Sequence, residues 1–182
     1  MNLRKLYQAS ENRENADLLE KEGPIYCKNG SWLGCGYYFW DSYIDNAHWW
    51  GKIHYNNKYF IAESGYDADS DELFDLVGNT ENLTKLKSAA EIIRIHIARE
   101  KSLTVDLVLE YLKEKTSFPY KAVRAYPERS KTSMTQNVLF FRNQHSYIDM
   151  IPPIQLCVYD KSFLRVAYKV VFPIEYASDY AV

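Results

Sequence analysis

The stretch LGCGYYFWDSYIDNAHWWGKIHY, residues 33–55, brings three glycines and three tryptophans to one short junction. The run GYYFW, residues 36–40, is typical of a β-strand because aromatic side chains fit a pleated, half-buried surface. Asp41 or Ser42 can accept a hydrogen bond from the free amides of a following helical turn. The residues that then share one helical face are Tyr43, Ala47 and Trp50. The stretch therefore predicts a strand that runs directly into a helix.

The crowding of large rings in this stretch has two explanations. Trp40, Trp49 and Trp50 can all serve as core or edge packing, which is the commoner role of tryptophan. The other explanation is a site that stacks a flat ligand between two rings. The residues of the stretch alone leave both explanations open.

The whole chain sets broad limits on size, charge and location. At 182 residues it is long enough to bury one core, so we expect a single domain over residues 1–182. Lys and Arg total 22 against 24 for Asp and Glu, and the net charge of -2 gives no general attraction to nucleic acid or to an anionic membrane. The three cysteines, Cys27, Cys35 and Cys157, have no disulfide or zinc spacing. Without an apolar leader or a long apolar run, the chain is expected to be a cytoplasmic protein with no membrane contact.

The first part of the chain is predicted to alternate strand, helix and loop. Residues 3–9 alternate loosely between apolar and polar side chains and are predicted to form a strand. Residues 11–23 are acidic early and end in a glycine, which predicts a short helix with Gly23 in a left-handed conformation after it. Residues 24–36 are rich in turn residues and are predicted to form a loop.

The middle of the chain is predicted to be mainly helical. Residues 52–66 alternate around Asn56-Asn57 and are predicted as β, either one bent strand or a hairpin. Between residues 70 and 115, apolar residues recur at spacings of three and four in two helical sets that are separated near Ser102. The sets are Leu83, Leu86, Ala90, Ile93 and Ile97, then Val105, Val108, Leu109 and Leu112.

Strands are predicted again in NVLFF, IQLCVYD and RVAYKVVF. This order predicts an α+β domain with a helical insertion at about 70–115.

Most motifs that carry chemistry are absent from the sequence. The four histidines have no metal-ligand spacing, so no metal site is predicted. Neither a phosphate-binding glycine loop nor a nucleophile elbow is present. The basic stretch KAVRAYPERSK, residues 121–131, is expected to be a solvated loop rather than a nucleic-acid patch. The aromatic junction is therefore the best candidate for a site.

Three segments resemble one known family. GYYFWDSYIDNAHWW, residues 36–50, resembles the central motif of ADP-ribosyltransferases of the poly(ADP-ribose) polymerase and diphtheria toxin type, in which a strand with Gly-x-Tyr-Phe leads into a helix. LYQAS, residues 6–10, resembles the first strand of the family, which ends in His-Gly-Ser or His-Gly-Thr. QLCVYD, residues 155–160, resembles the strand that carries the catalytic glutamate. The segments follow the family order, and the resemblance implies split antiparallel sheets in a small bacterial relative that uses NAD as substrate.

The first of these segments is implied to hold part of NAD. Gln8 falls on the histidine that hydrogen-bonds the adenosine ribose. Ala9 falls on the glycine whose backbone holds the nicotinamide carboxamide, and Ser10 falls on the hydroxyl residue after it. Ala9 keeps the backbone groups but lacks the freedom of glycine at positive φ.

The other two segments are implied to hold and cleave the nicotinamide end. Tyr38 and Trp49 fall on the two stacking aromatics, and Asn46 falls on the serine that contacts the carboxamide. Gln155 falls on the glutamate, so the resemblance makes Gln155 and Tyr38 the catalytic residues. Two rings around a flat cation would explain the aromatic crowding.

The glutamine at position 155 leaves the activity open. Gln155 can hydrogen-bond the nicotinamide ribose, but it cannot offset the positive charge that develops on the sugar as nicotinamide leaves. Glu63 and Glu175 are glutamates that could substitute, although no pattern places them at the site. The hypotheses are a weak or inactive mono-ADP-ribosyltransferase, a non-catalytic module that binds NAD, ADP-ribose or a protein partner, and an unrelated α+β protein. The acceptor of a transferase, whether protein, nucleic acid or small molecule, is not indicated.

Overall fold

The computed structural model describes residues 1–28, 31–96, 103–127, 137–139 and 147–177. These residues contain both helices and a mixed sheet, so the predicted α+β class is confirmed. None of the helices within these ranges is long and apolar enough to cross a membrane.

The chain alternates strands and helices. The strands within the described ranges are β1 Leu3–Glu11, β2 Tyr26–Cys27, β3 Gly36–Asp41, β4 Tyr59–Asp67, β5 Leu73–Asp75, β6 Ala122–Ala125, β7 Asn137–Leu139, β8 Tyr147–Asp149, β9 Gln155–Val158 and β10 Val166–Phe172. The α-helices in the same part of the chain are α1 Ala16–Glu22, α2 Ile44–His54, α3 Thr80–His96 and α4 Val105–Lys115. Two short 3-10 helices, Lys161–Phe163 and Ile174–Tyr176, flank β10.

Eight of these strands form one sheet. Its order is β10-β4-β1-β3-β9-β6-β5, with β2 paired to β3 beside this path. All neighbours are antiparallel except β5 and β6, which are parallel and are connected through α3 and α4. Strands β7 and β8 form a separate two-stranded ladder.

The sheet is nearly divided between β1 and β3. These strands pair only at Leu6 with Asp41 and at Tyr7 with Trp40. From there β1 continues along β4 as far as Glu11, while the start of β3 pairs with β2 instead. The two halves of the sheet therefore part immediately after Tyr7, and a space opens between them.

Helices cover the two faces unequally. Cross-strand register places Trp40, Gln155 and Ala125 on one face and Phe39, Leu156 and Arg124 on the other, because directly opposed residues point to the same side. On the first face, α2 packs over the β1, β3 and β4 side and α3 and α4 pack over the β5, β6 and β9 side. Helix α1 lies on the second face, where its buried residues join the core. The first face thus has a gap between α2 and the α3–α4 pair.

The strand-to-helix junction forms as predicted, but the cap does not. Strand β3 leads into α2, and Gly36 is required because a Cβ there would lie 2.5 Å from Cys157 Sγ and 2.8 Å from Val158 O. The residue that caps α2 is Tyr43, with no side-chain cap hydrogen bond. Asp41 is unavailable as a cap because it ends β3 as a buried partner of Arg124, and Ser42 takes a positive φ of 67°.

The prediction for residues 52–66 is wrong in its first half. Helix α2 continues to His54, and the chain turns at Asn56 and Asn57, which both have positive φ. Only residues 59–67 are extended, as β4. The asparagines signal the turn correctly, since this residue type tolerates positive φ, but the turn joins a helix to a strand rather than two strands.

The two helices predicted within 70–115 are confirmed as α3 and α4, but the segment is not a purely helical insertion. It also contains β5, which forms one end of the sheet beside β6. Ile93 and Leu112 are buried as predicted, whereas Leu83 is 50% exposed and the buried Asn82 takes its place. Ile97 and the break near Ser102 lie outside the described residues.

The start of the basic stretch 121–131 is a buried strand, so the expectation of a solvated loop is wrong there. Residues 122–125 form β6, between β9 and β5, and all four are buried. Residues 128–131 lie outside the described residues, as do the last two residues of NVLFF. The predicted loop 24–36 also contains β2, and Gly23 has the expected positive φ of 79° but a ψ of -162°, which is not left-handed helical.

Candidate functional site

A cavity of about 550 Å³ lies where β1 and β3 part. Aromatic rings dominate its wall, with contributions from β2, β3, α2 and the segment before β3. The aromatic residues in its lining are Tyr26, Trp32, Tyr38, Phe39, Trp40, Trp50 and Tyr55. The size lies within the range of small-molecule sites, which are mostly apolar with a few placed polar groups.

The cavity brings together four of the seven residues expected at the site. Gln8 and Ala9 come from β1, Tyr38 from β3 and Gln155 from β9, and these three strands are neighbours in the sheet. We predicted that Gln8, Tyr38 and Gln155 line one cleft from adjacent strands, and their positions agree with that geometry. Their functional roles stay predictions.

The other three expected residues do not line the cavity. Asn46 is buried and donates from Nδ2 to the Pro152 carbonyl at 3.2 Å. Ser10 is 2% exposed, and its hydroxyl has no hydrogen-bond partner among the described residues. Trp49 packs edge-on against Trp40, with ring centroids 6.3 Å apart. The helix aromatic at the cavity is instead the next residue, Trp50.

Gln8 ties the parted strands together through its side-chain amide. Its Nε2 donates to Ile25 O at 3.1 Å and to Tyr38 O at 2.9 Å. Its Oε1 accepts from Ile25 N at 2.8 Å and from the hydroxyl of Tyr168 at 2.8 Å. Both N–H donors are thus used within the protein, so Gln8 could bond a ribose hydroxyl only by exchanging one of these partners.

Replacing Gln8 by leucine is expected to lower the free energy of unfolding by about 1–3 kcal/mol, because it leaves the buried hydroxyl of Tyr168 and the partly buried backbone groups of Ile25 without these partners. Gln155→Leu, which removes one side-chain hydrogen bond among the described residues at a partly exposed position, should cost about 1 kcal/mol or less. Urea unfolding of both variants measures the difference. If the two variants lost the same free energy of unfolding, the role of Gln8 in joining the strands would be contradicted.

Tyr38 is held by the segment 31–35, which forms one wall of the cavity. Its hydroxyl donates to Gly34 O at 2.8 Å and accepts from Leu33 N at 2.9 Å. Burial is the main reason why the pKa of Tyr38 is raised well above its ordinary value. The ring is therefore neutral and fixed in orientation, which suits stacking and rules out the hydroxyl as a base near neutral pH.

Gln155 is anchored at one end and free at the other. Its Oε1 accepts a hydrogen bond from Trp32 Nε1 at 2.6 Å. Its Nε2 has no partner among the described residues, and the side chain is only partly buried. Gln155 therefore offers the cavity a hydrogen-bond donor, which fits a ligand hydroxyl or carbonyl.

Trp50 is supported from behind by its own helix. The imidazole of His54, four residues on, stacks on it with ring centroids 3.6 Å apart and an angle of 14°. Trp40 lies on another side at 6.1 Å. Rings packed in this way lose little conformational freedom when a ligand stacks on them.

No charged side chain lines the cavity among the described residues. Glu63 lies on β4, where it accepts a hydrogen bond from Lys5 at 3.0 Å. Burial, together with the negative charge of Glu63, raises the pKa of Tyr7 to about 12. Glu175 belongs to the 3-10 helix after β10. Neither glutamate lines the cavity, so neither replaces a carboxylate there.

Sequence reasoning missed three parts of this region. Trp32 was within a predicted loop, and Ile25 acts through backbone groups that any residue would provide. Arg124 forms a buried ion pair with Asp41 beneath the sheet, although its surrounding sequence is basic and polar. The only available signal for Arg124 was the alternation in KAVRA, which is compatible with a strand.

Comparison of the chain with protein-family models, with curated proteins and with solved structures found no match.

Proposed function

We propose that the protein is an ADP-ribosyltransferase-like domain that binds NAD, with the nicotinamide end in the aromatic cavity, and that transfers ADP-ribose slowly or not at all. The observation that carries the proposal is the meeting of Gln8, Tyr38 and Gln155 at one cavity. They come from three segments that are separated in the sequence and that each resemble a segment of the family. The near division of the sheet between β1 and β3 also agrees with the split sheets that the resemblance implies.

The lining of the cavity suits nicotinamide in its NAD form. The ring is flat and cationic, and aromatic faces attract such a group by stacking and by their quadrupole. Tyr38 and Trp50 are the proposed pair of rings, since each lines the cavity and each is fixed by a partner outside it. The backbone of Ala9 is the proposed contact for the carboxamide.

Transfer requires a bond to break at the nicotinamide ribose. Nicotinamide leaves with the electron pair of its glycosidic bond, the acceptor supplies the pair for the new bond, and the acceptor loses a proton. Gln155 can orient the ribose through Nε2, but an amide supplies no negative charge to the sugar. A preorganised group that stabilises developing charge contributes about 2.7–4 kcal/mol in the transition state, and Gln155 lacks the charge for this role. Transfer is accordingly proposed to be slow.

A non-catalytic binding module is the second candidate. It is favoured by one observation, the absence of a carboxylate among the described residues that line the cavity. Such a module would hold NAD or an ADP-ribose-like ligand through the same rings without cleaving it. Measurement of nicotinamide release separates the two candidates, because only a transferase produces it.

The experiment that tests NAD binding is calorimetric titration of NAD into the full chain. Trp50→Ala removes one proposed stacking face and is expected to weaken NAD binding by about 5- to 150-fold, since a stacked base is worth about 1–3 kcal/mol. The matched control is Trp49→Ala, on the same helix but outside the cavity, which should leave the affinity nearly unchanged.

Three outcomes would contradict this assignment. Absence of NAD binding by the unaltered protein overturns the proposed function. A loss of affinity in Trp49→Ala but not in Trp50→Ala would return the stacking role to Trp49, as the resemblance implies. An equal loss in both variants would point to general damage to α2, which thermal unfolding of each variant detects.

A further inference from the structure

A second cavity, of about 640 Å³, lies between α4 and the segment 31–35. Tyr26 and Ser31 line both cavities, so the two spaces share a wall. That wall is firmly placed: Tyr38 and Tyr159 both bond the segment, the latter by donating to Leu33 O at 2.8 Å. Neither the resemblance nor the proposed reaction assigns a role to this second space.

Aromatic rings form part of the second cavity. Phe118 and Tyr120 meet with centroids 5.0 Å apart, and both pack on the buried Phe74. Tyr26 and Tyr159 contribute further rings. These rings offer flat surfaces that are already positioned by the core.

The charged residues of the second cavity distinguish it from the first. Asp106, Glu110 and Lys113 follow one side of α4 at spacings of four and three, and Lys28 lies on the wall formed by the other part of the chain. None of these four side chains forms an ion pair with another described residue. Two ammonium groups and two carboxylates thus line one space without being paired to each other.

Lys113 is the most constrained of the four. Its Nζ lies 3.2 Å from the centroid of the Tyr159 ring. Loss of solvation is the main reason why the pKa of Lys113 is lowered from its ordinary value. An anion beside this ammonium would restore part of the lost solvation.

The combination of groups limits the class of ligand. A simple anion would meet two carboxylates, a simple cation would meet two ammonium groups, and an apolar molecule would desolvate all four charges. A flat ring with an amino group and an attached phosphate matches each kind of group in the cavity: the ring stacks on an aromatic side chain, the amino group donates to a carboxylate, and the phosphate bonds a lysine.

We infer that the second cavity is a nucleotide site, which takes the base and phosphate of a nucleoside monophosphate. The same chemistry has two sources. One is a separate nucleotide, and the other is the nucleotide end of a dinucleotide whose flat cationic end occupies the first cavity. The inference does not depend on the proposed function, because a nucleotide can bind here whether or not NAD does.

Titration of adenosine monophosphate into the full chain tests the inference directly. Saturable binding is expected, tighter than that of ribose 5-phosphate by about fivefold or more, because the base adds stacking. Lys113→Met should weaken the binding by about 5- to 20-fold, as expected for one partly exposed bond to a charged group. Lys115→Met removes a lysine from the same helix outside the cavity and should change the affinity by less than about twofold.

The outcomes separate the inference from its alternatives. The inference is overturned if adenosine monophosphate does not bind, or if Lys113→Met and Lys115→Met weaken its binding equally. It is also overturned if Trp50→Ala weakens the binding, because that result places the nucleotide in the first cavity. A site confirmed by Lys113→Met is assigned to a source by competition. Displacement of the bound monophosphate by NAD identifies a dinucleotide that spans both cavities, and simultaneous binding identifies a separate nucleotide.

Discussion

Arg124→Met is expected to lower the free energy of unfolding by about 3–5 kcal/mol, because it leaves a buried carboxylate without its counter-charge. Arg124 is 6% exposed and donates from Nε to Asp41 Oδ2 at 2.7 Å. It also donates to both oxygens of Asp75, at 3.2 and 3.3 Å. Burial alone would lower the pKa of Arg124, but the bond to Asp41 and the nearby negative charges outweigh burial and raise it.

The position of this arginine makes the effect global. Asp41 ends β3, Arg124 lies on β6 and Asp75 ends β5, so the guanidinium reaches across β9 and connects three strands. The Asp41 carboxylate also accepts from the hydroxyl of Ser42, at the turn into α2. Loss of Arg124 therefore disturbs both the sheet and the start of the helix that carries Trp50.

Urea unfolding with a matched surface variant measures the effect. Arg165→Met removes a surface arginine whose ion pair with Glu72 spans 3.6 Å, and it should cost less than about 1 kcal/mol. The double variant Arg124→Met/Asp41→Leu should recover much of the loss, since replacing a buried ion pair by apolar groups is often nearly neutral. A loss in Arg124→Met no larger than that in Arg165→Met would contradict the structural role of the pair.

The parts of the fold that could be predicted from the sequence are those with local signals. GYYFW and the spaced apolar residues of α3 and α4 carry periodicity within one element, and these elements form where expected. The failures involve partners distant in sequence. Residues 122–125 contain an arginine and follow a polar segment, and that arginine is buried because the distant Asp41 and Asp75 pair with it.

The site was predictable at the level of strands and less so at the level of side chains. The order of three segments was enough to select Gln8, Tyr38 and Gln155, because neighbouring strands carry their residues to a common place. The same order could not decide between Trp49 and Trp50, because one residue along a helix turns a side chain by about 100°. The side-chain amide of Gln8 forms hydrogen bonds with Ile25, Tyr38 and Tyr168. These partners are distant in sequence, so no local pattern could predict them.

Gln155→Glu is expected to raise the rate of nicotinamide release from NAD by about 100- to 1000-fold, if the proposed transferase activity is correct. The new carboxylate would have the same size and position as the amide and would still accept the hydrogen bond that Trp32 now donates at 2.6 Å. It would add the negative charge that stabilises the sugar as nicotinamide leaves. Chromatographic measurement of nicotinamide at saturating NAD gives the rate.

The matched control is the same substitution at Gln8. Its two N–H groups donate to Ile25 O and Tyr38 O, so Gln8→Glu would turn an anion toward two partly buried carbonyls and should destabilise the protein without raising the rate. Similar gains in both variants would show that a carboxylate anywhere near the cavity suffices, which contradicts the role given to position 155. If Gln155→Glu binds NAD as tightly as the unaltered protein and still releases no nicotinamide, the missing carboxylate is not the sole reason why the cavity does not cleave NAD. The non-catalytic module would then be the correct function, because binding without cleavage is what that alternative requires.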